Sequence, residues 1–590
     1  MGKEEHIIKL QEKMREKKID FFLIPLADYH HSEYVGAYFQ TCQFFSQFTG
    51  SNATLLVMQK SAGLWTDGRY FIQAEKELEG TGIILFKMGN KGVPTIHEFL
   101  SEHSKKGMTL AFDGRTCTVA FIKRLTNNLQ LLLNDEEDPA KDIWMDRPKM
   151  SHKKIKTQDM KYAGISTEDK IAILRQRMKE KECRELFLTT LDDIMWLFNI
   201  RGNDVPCNPV ALSYAYITDK EAFLFLQKEA TDQTICEYAE EHNIILCDYH
   251  FVKEFLEKRV YSGKVWIDEE EVSEVFCKII LNHADTLMKT NPVAAMKAVK
   301  NNTEIKNMRH FFLEDSVAVC RFICWLKQQK KTTEMDASSY LDHLRYQITG
   351  CRGLSFPTIS AYEANAAMMH YEADETHNAM IKKEGMLLVD SGGQYDGATT
   401  DVTRTIILGQ VGETEKKFFT LTAVAMLELL NAKFLYGCCG SNLDILAREP
   451  LWKEYTDYKC GTGHGVGCYL NVHEGPQSIR YRRGDIKEAV LEEGMTVTDE
   501  PGVYLENQFG IRTENVLLVK KELENMDGQF MGFETLTFVP IDLDGIDTKY
   551  MTDRQIKNLN EYHHQVYEKI EPFMEKEEKE WLKNATKSIS

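Results

Sequence analysis

The sequence lacks an uninterrupted apolar run that could span a bilayer, which takes about 20 residues. Its longest apolar stretches, 21–27 and 317–326, are short or interrupted. The N-terminal Met-Gly-Lys-Glu-Glu-His has no signal-peptide pattern, and His6 stands where a myristoylation motif requires Ser or Thr. We therefore expect no membrane partner and no secretion.

The sequence also lacks a Cys-x-x-Cys pair, although it contains 14 cysteines. This absence excludes the usual pattern of a zinc ribbon, and with no secretory signal it favours reduced thiols in a cytoplasmic protein. Cys460 and Cys468 flank His464 along the chain. We interpret both as small packing residues rather than metal ligands.

Basic residues are in deficit, because 72 Lys and Arg stand against 90 Asp and Glu, a formal net charge of −18 at pH 7. This balance argues against nucleic acid or an anionic membrane as the main partner. The length of 590 residues exceeds what one hydrophobic core can organise, so two to four domains are expected.

Two N-terminal segments share one pattern about 150 residues apart. Each contains a helix, an apolar strand, an amide-apolar-x-Gly element (47–50 and 199–202) and further strands. We interpret the pattern as an internal duplication of an α/β domain. The predicted segments are two such domains, a third domain and a C-terminal extension, at residues 1–160, 161–291, 292–520 and 521–590.

Within the third domain, two helices and one hairpin are predicted. The first helix takes Thr303 as its N-cap and runs to about Gln329, and the second runs from Glu413 to about Leu435.

The hairpin covers 386–408, with two turn signals between its strands. A turn centred between Tyr395 and Asp396 would place Asp390 opposite Asp401, with Cβ atoms about 4.5–5.5 Å apart. Two carboxylates so placed repel each other unless a cation lies between them.

Three further side chains in this region have similar local contexts. His464 lies within Gly-Thr-Gly-His-Gly-Val-Gly, Glu500 within Thr-Asp-Glu-Pro-Gly, and Glu514 within Gly-Ile-Arg-Thr-Glu-Asn-Val. Together with the two aspartates they form an oxygen-rich donor set that favours Mn, Co, Zn or Mg. Burying four carboxylates without compensation is prohibitive, whereas two divalent cations would neutralise them.

These motifs, with Asn-Val-His-Glu-Gly-Pro between them, resemble those of the pita-bread metallopeptidases. The closest resemblance is to aminopeptidase P in its long three-domain form. It implies an α/β and α+β multidomain fold, in which two creatinase-like α/β domains precede a C-terminal pita-bread catalytic domain.

The resemblance also implies a site. Two divalent ions, Mn²⁺ first and Zn²⁺ or Co²⁺ as alternatives, would be held by Asp390, Asp401, His464, Glu500 and Glu514. Glu500 would also carry a proton to the leaving nitrogen. His370 and His473 match two further family histidines, for substrate positioning and for the developing oxyanion. A core histidine bonded to the backbone remains the alternative for each.

Two more residues are candidates for supporting the ligands. Arg512 lies two residues before Glu514, so strand alternation would put both on one face, where Arg512 could pair with a ligand carboxylate. Tyr504 is the second candidate for supporting a ligand carboxylate.

The resemblance implies a homodimeric Xaa-Pro aminopeptidase whose substrates are peptides beginning Xaa-Pro. No motif by itself proves the preference for proline. One alternative is a prolidase-like dipeptidase with the same ligands, and another is an inactive pita-bread domain that binds proteins. Because all five ligand types are present, the inactive module and a metal-free, creatinase-like hydrolase are both disfavoured.

Overall fold

A computed structural model describes residues 4–481 and 488–590, so the first three residues, on which the myristoylation argument partly rests, lie outside it. The chain folds into two compact units. One unit contains the chain up to Gln158 together with Ile165–Val293, and the other contains Asp159–Gly164 and Ala294–Ser590. Within the described ranges, no helix combines the length and apolar character needed to cross a bilayer.

Helices occur in both units. In chain order they are α1 Glu5–Lys17, α2 Thr41–Ser46, α3 Phe71–Glu77, α4 Ile96–His103, α5 Val119–Thr126, α6 Met160–Ala163, α7 Thr167–Glu180, α8 Leu191–Leu197, α9 Gln233–Glu241, α10 Val252–Lys258, α11 Glu274–His283, α12 Pro292–Ala298, α13 Asn302–Gln328, α14 Glu334–Tyr346, α15 Glu413–Leu430, α16 Gly440–Trp452, α17 Asp553–Ile570 and α18 Lys576–Ala585.

The strands of the first unit form two six-stranded sheets and one short pair. They are β1 Phe21–Pro25, β2 Ala53–Met58, β3 Ala62–Thr66, β4 Ile83–Lys87, β5 Thr109–Ala111, β6 Leu132–Asn134, β7 Lys156–Thr157, β8 Glu185–Leu188, β9 Ile200–Arg201, β10 Ser213–Thr218, β11 Ala222–Leu226, β12 Ile245–Asp248, β13 Val265–Ile267 and β14 Thr286–Met288.

The two large sheets of this unit have the same topology. The first has the order β4-β3-β2-β1-β5-β6 and the second the order β12-β11-β10-β8-β13-β14. The consecutive strands β3-β2-β1 of the first sheet and β11-β10-β8 of the second pair antiparallel. The three remaining pairings of each sheet are parallel. This identity of order and direction confirms the internal duplication.

The amide-apolar-x-Gly element begins with the same backbone conformation in both copies. Gln47 and Asn199, its first residues, are both left-handed, with φ of 66° and 48°. The glycine that closes the second copy allows close backbone contact, because a Cβ on Gly202 would lie 2.5 Å from the amide nitrogen of Ala211. The two copies therefore share the left-handed first residue, whereas the residues after it form a strand, β9, in the second copy alone among the described residues.

The strands of the second unit surround the candidate ligands. They are β15 Thr332–Thr333, β16 Cys351–Leu354, β17 Ile359–Tyr362, β18 Met380–Ile381, β19 Met386–Ser391, β20 Gly393–Tyr395, β21 Ala398–Thr399, β22 Val402–Ile407, β23 Phe434–Leu435, β24 Gly463–Gly465, β25 Glu474–Ile479, β26 Thr496–Asp499, β27 Gly502–Leu505, β28 Phe509–Arg512, β29 Asn515–Asn525 and β30 Gly528–Thr535. The two main sheets have the orders β17-β19-β22 and β23-β30-β29-β26-β24-β25.

Two predicted helix boundaries were wrong. Asn301, not Thr303, caps α13, because its side chain accepts from the amides of Thr303 and Glu304 while the Glu304 carboxylate accepts from the Asn301 amide. Helix α15 ends at Leu430 rather than near Leu435. The residues that follow it instead form β23, an edge strand paired with β30.

The C-terminal helices pack on the same apolar core as α13 and α15. Leu559, Val566 and Ile570 of α17 and Leu582 of α18 are fully buried in this core. Because the large apolar side chains of α17 recur at helical spacing, they form one face directed at the core.

His563 is the buried histidine of α17 and gives the stability of this unit a pH dependence. The amide of Ile541 donates to its Nε2 (3.1 Å), so that nitrogen is unprotonated. Burial, and secondarily the charge of Arg404, lowers the pKa of His563 from 6.5 to about 3. A depressed histidine pKa means that the unfolded chain binds the extra proton, so stability falls as pH drops below 6.5 toward 3.

We expect this group to remove about 2 kcal/mol of stability from the wild-type protein between pH 7.5 and pH 5. The His563→Gln variant keeps an acceptor for the Ile541 amide but does not titrate. Between the two pH values, its unfolding free energy should therefore fall by about 2 kcal/mol less than that of the wild-type protein. Urea unfolding of both proteins at the two pH values measures the difference. Equal pH dependence of both proteins would contradict the prediction.

Candidate metal centre

The five predicted ligands lie on strands, or directly beside them, in the second unit. Asp390 is in β19 and His464 in β24. Asp401 precedes β22, Glu500 follows β26, and Glu514 lies between β28 and β29. The two main sheets of this unit therefore contribute donors from different strands.

The register of the first hairpin differs from the prediction. Tyr395 pairs with Ala398, so the loop contains the two residues after Tyr395 and its centre lies one residue later than predicted. In the continuing ladder Asp390 stands opposite Thr403, and its predicted pairing with Asp401 was wrong. The Asp390 charge still acts on Asp401, where it contributes to raising the pKa of that carboxyl.

Three donors meet closely around His464. One ligand atom from each of Asp401, His464 and Glu514 lies within 4.8 Å of the others. His464 Nε2 is 3.5 Å from Asp401 Oδ2 and 3.3 Å from Glu500 Oε1. Its Nδ1 lies 2.9 Å from the Gly465 carbonyl, which can only accept, so Nδ1 carries the proton and Nε2 presents its lone pair to the carboxylates.

Arg512 connects two of the five donors, Asp390 and Glu514. Its Nη2 donates to Asp390 Oδ2 (2.5 Å), its Nη1 to the Tyr504 hydroxyl (2.7 Å) and its Nε to Thr403 Oγ1 (3.1 Å). The Thr403 hydroxyl in turn donates to Glu514 Oε2 (2.7 Å). One guanidinium thus fixes a carboxylate directly and a second one through a threonine.

Burial and crowding perturb the acids in opposite directions. Burial, followed by the neighbouring carboxylates, raises the pKa of both Asp401 and Glu514 well above the usual range. Burial also opposes ionisation of Glu500, but when His464 carries a second proton on Nε2, its hydrogen bond and charge lower the pKa of Glu500 to about 2. Mutual repulsion among buried acids is the condition that bound divalent cations relieve.

The donor set fits two divalent cations. Asp390 Oδ1 is buried and accepts no hydrogen bond from any residue within the described ranges, so it has a lone pair for a ligand. The other donors are carboxylate oxygens and one neutral imidazole nitrogen. This combination suits hard or borderline divalent ions.

The two additional predicted histidines lie beside this cluster. The ring of His473 packs edge-on against that of His464, with centroids 4.3 Å apart. His370 directly follows Met369, whose carbonyl accepts from Arg512 Nη2 at 3.4 Å.

Two threonines were missed by the sequence argument. Thr403 is described above, and Thr498 Oγ1 accepts from the His464 amide (3.0 Å) and donates to Glu500 Oε1 (3.0 Å). Each lies two residues from a ligand, Thr403 after Asp401 and Thr498 before Glu500. Period-two alternation was therefore a signal that could have identified both.

Neither flanking cysteine belongs to the group of ligand atoms from Asp401, His464 and Glu514. Cys468 is buried and its thiol donates to the Gly397 carbonyl (3.2 Å). Burial, and secondarily the charge of Glu500, raises the pKa of Cys460 to about 12.

Comparison with known families finds matches for four stretches of the chain. Residues 7–137 and 146–304 each match the creatinase/prolidase N-terminal domain, residues 306–521 match metallopeptidase family M24, and residues 529–589 match the C-terminal region of that peptidase family. A probable Xaa-Pro aminopeptidase P from Paracoccidioides brasiliensis (strain Pb03) is 35% identical, over 99% of both chains. The chain belongs to the aminopeptidase P branch of metallopeptidase family M24.

Other members of the branch, and solved structures, agree with this assignment. A probable Xaa-Pro aminopeptidase P from Laccaria bicolor is 35% identical, over 98% of this chain and 92% of its own. The X-prolyl aminopeptidase of Caenorhabditis elegans, described as a cytosolic enzyme with a di-nuclear active site, superposes with a TM-score of 0.95 at 32% identity over both full chains.

A Xaa-Pro dipeptidase from Bacillus anthracis shares the fold, with a TM-score of 0.52 at 24% identity, over 64% of this M24 chain and 99% of its own. The predicted fold, two creatinase-like domains followed by a pita-bread domain, is confirmed.

Proposed function

We propose that this M24 family member is a metalloaminopeptidase that releases the N-terminal residue from peptides with proline in the second position. The observation that carries the proposal is the full-length similarity to Xaa-Pro aminopeptidase P proteins in a chain that keeps all five donors. A domain retained only for binding would have no need of a buried, mutually repelling acidic cluster.

Two divalent ions would be held by Asp390, Asp401, His464, Glu500 and Glu514. The unused Asp390 Oδ1 and the Nε2 lone pair of His464 support this assignment. We propose Mn²⁺ as the first choice because oxygen donors dominate, with Zn²⁺ and Co²⁺ as alternatives. When bound, the ions would supply a nucleophilic hydroxide near neutral pH and polarise the scissile carbonyl.

The remaining steps of the reaction are assigned to side chains of the protein. The Glu500 carboxylate, which accepts from Thr498 Oγ1, would take a proton from the nucleophile and pass it to the leaving nitrogen. His473, packed on His464, is placed to donate to the developing oxyanion, and His370 to position the substrate. Arg512 and Tyr504 hold Asp390 in place.

A prolidase-like dipeptidase is the second candidate, because the same ligands serve both reactions. The proteins from Paracoccidioides brasiliensis and Caenorhabditis elegans that are named as aminopeptidases align over the full chain at 35% and 32% identity, against 24% for the dipeptidase from Bacillus anthracis. The aminopeptidase is therefore favoured.

We also propose a cytoplasmic homodimer with neither nucleic acid nor membrane as a partner. The cytosolic description of the Caenorhabditis elegans enzyme, the scattered cysteines and the net negative charge support the location and the absence of those partners. The dimer follows from the family resemblance alone. Sedimentation of the purified protein tests it.

Metal removal should abolish peptide cleavage, and metal addition should restore it. We expect protein stripped with a chelator to lose release of the first residue from Arg-Pro-Pro, and Mn²⁺, Co²⁺ or Zn²⁺ to recover it with two ions bound per chain. Cleavage of the dipeptide Ala-Pro alone would instead identify a dipeptidase. Absence of cleavage with every metal, together with absence of metal binding, would leave a binding module.

A further inference from the structure

Glu334, which no motif singled out, is fully buried at the start of α14, and four neutral donors surround its carboxylate. Oε1 accepts from the Tyr362 amide (2.7 Å) and Asn365 Nδ2 (2.9 Å). Oε2 accepts from the Tyr371 hydroxyl (2.9 Å) and the Ala379 amide (2.7 Å). A carboxylate has about four acceptor positions, so these donors saturate it.

All four donors belong to the segment 362–379, which contains His370. The Tyr362 amide marks the end of β17 and the start of the segment, and the Ala379 amide lies at its end. Asn365 and Tyr371 lie within it, on either side of His370. One carboxylate therefore closes the segment at both ends and holds it at two points between.

The opposite side of the segment packs against the metal centre. A Cβ on Gly510 of β28 would lie 1.7 Å from the Ala366 carbonyl oxygen, so the backbones are in direct contact. Arg512 of the same strand donates both to the Met369 carbonyl and to Asp390. The Tyr371 ring packs with Ala366 in an apolar cluster.

We propose that Glu334 is a positioning residue for His370, acting through Asn365 and Tyr371. The contacts with β28 fix the segment 362–379 relative to Asp390, and the hydrogen bonds to Glu334 hold the segment from elsewhere in the unit. A shift of about 1 Å in a positioned group can cost on the order of 100-fold in rate. This inference rests on the proposed function, in which His370 positions the substrate.

The Glu334→Gln variant tests the proposal with little change of shape. An amide places an NH₂ donor against a backbone N–H, so at least one of the four hydrogen bonds is replaced by repulsion. We expect kcat for Arg-Pro-Pro to fall about 10–100-fold while bound metal stays unchanged. The milder Tyr371→Phe variant, which removes one donor and no apolar area, should lose about 3–10-fold.

Two readouts separate positioning from general structural support. In a double-mutant cycle, Glu334→Gln should cost little in a His370→Ala background, because the group it positions is gone. Hydrogen exchange should accelerate in 362–379 for Glu334→Gln. The matched Asp336→Asn control changes an exposed carboxylate in the same helical turn but keeps an oxygen that can accept from the Thr333 amide, so it should change neither exchange in that segment nor activity.

Additive losses in the cycle, or unchanged exchange in 362–379, would overturn this inference while leaving the peptidase assignment intact. A wild-type protein that cleaves no Xaa-Pro peptide with any metal would overturn the proposed function, and with it the catalytic part of the inference. The exchange experiment would still decide whether Glu334 holds the segment.

Discussion

The Glu500→Gln variant is expected to lower kcat/KM for Arg-Pro-Pro by at least about 1,000-fold, because Glu500 is proposed both to bind metal and to transfer a proton. Its carboxylate lies 3.3 Å from His464 Nε2 and accepts from Thr498 Oγ1. The amide keeps the size of the side chain but removes the charge and the basic oxygen. Both proposed functions of the residue are therefore lost together.

Steady-state kinetics and metal analysis of the same preparations check this expectation. The Glu506→Gln control changes an exposed carboxylate in the turn between β27 and β28, and it should match the wild-type protein. Metal content of the Glu500→Gln variant should fall below two ions per chain. Activity within about tenfold of wild type would remove Glu500 from the proposed mechanism.

The Lys300→Met variant is expected to lose about 3–5 kcal/mol of unfolding free energy. Lys300 Nζ forms an ion pair with Glu474 Oε1, and both side chains are 0% exposed. A second cation, Lys297, is 3.8 Å from Glu474 Oε2. Removing the closer ammonium leaves a carboxylate in the interior with weaker compensation, which is more costly than losing the pair as a whole.

A second substitution distinguishes the buried charge from lost packing. Lys300→Met combined with Glu474→Gln removes the carboxylate charge too, so urea unfolding should show that the double variant recovers part of the loss. The Lys306→Met control removes an exposed lysine of α13 and should stay within about 0.5 kcal/mol of wild type. If the double variant is as unstable as the single one, packing rather than charge explains the loss.

The sequence was most informative where a short motif fixes local geometry. Glycines around His464 and the strand that ends at Glu500 indicated donors at those positions, and the structure brings the two within 3.3 Å. Alternation likewise placed Arg512 near Glu514, although their link runs through Thr403. These relations depend on residues close in sequence or on period two.

Relations that depend on tertiary packing could not be predicted in this way. The hairpin register was missed by two residues because two turn signals compete between Asp390 and Asp401, and pairing across the sheet selects one of them. The donors to Glu334 lie 28 to 45 residues away along the chain. In the sequence, Glu334 cannot be distinguished from a glutamate that merely begins a helix.

The orientation of His464 has a consequence for how the protein acquires metal. The next peptide group holds Nδ1–H and Arg512 holds Asp390, so groups of the chain itself orient both side chains. The conformational entropy of these side chains is then lost during folding rather than at metal capture. Uptake of the first ion should therefore require little rearrangement, and stripped protein should keep the shape of the site.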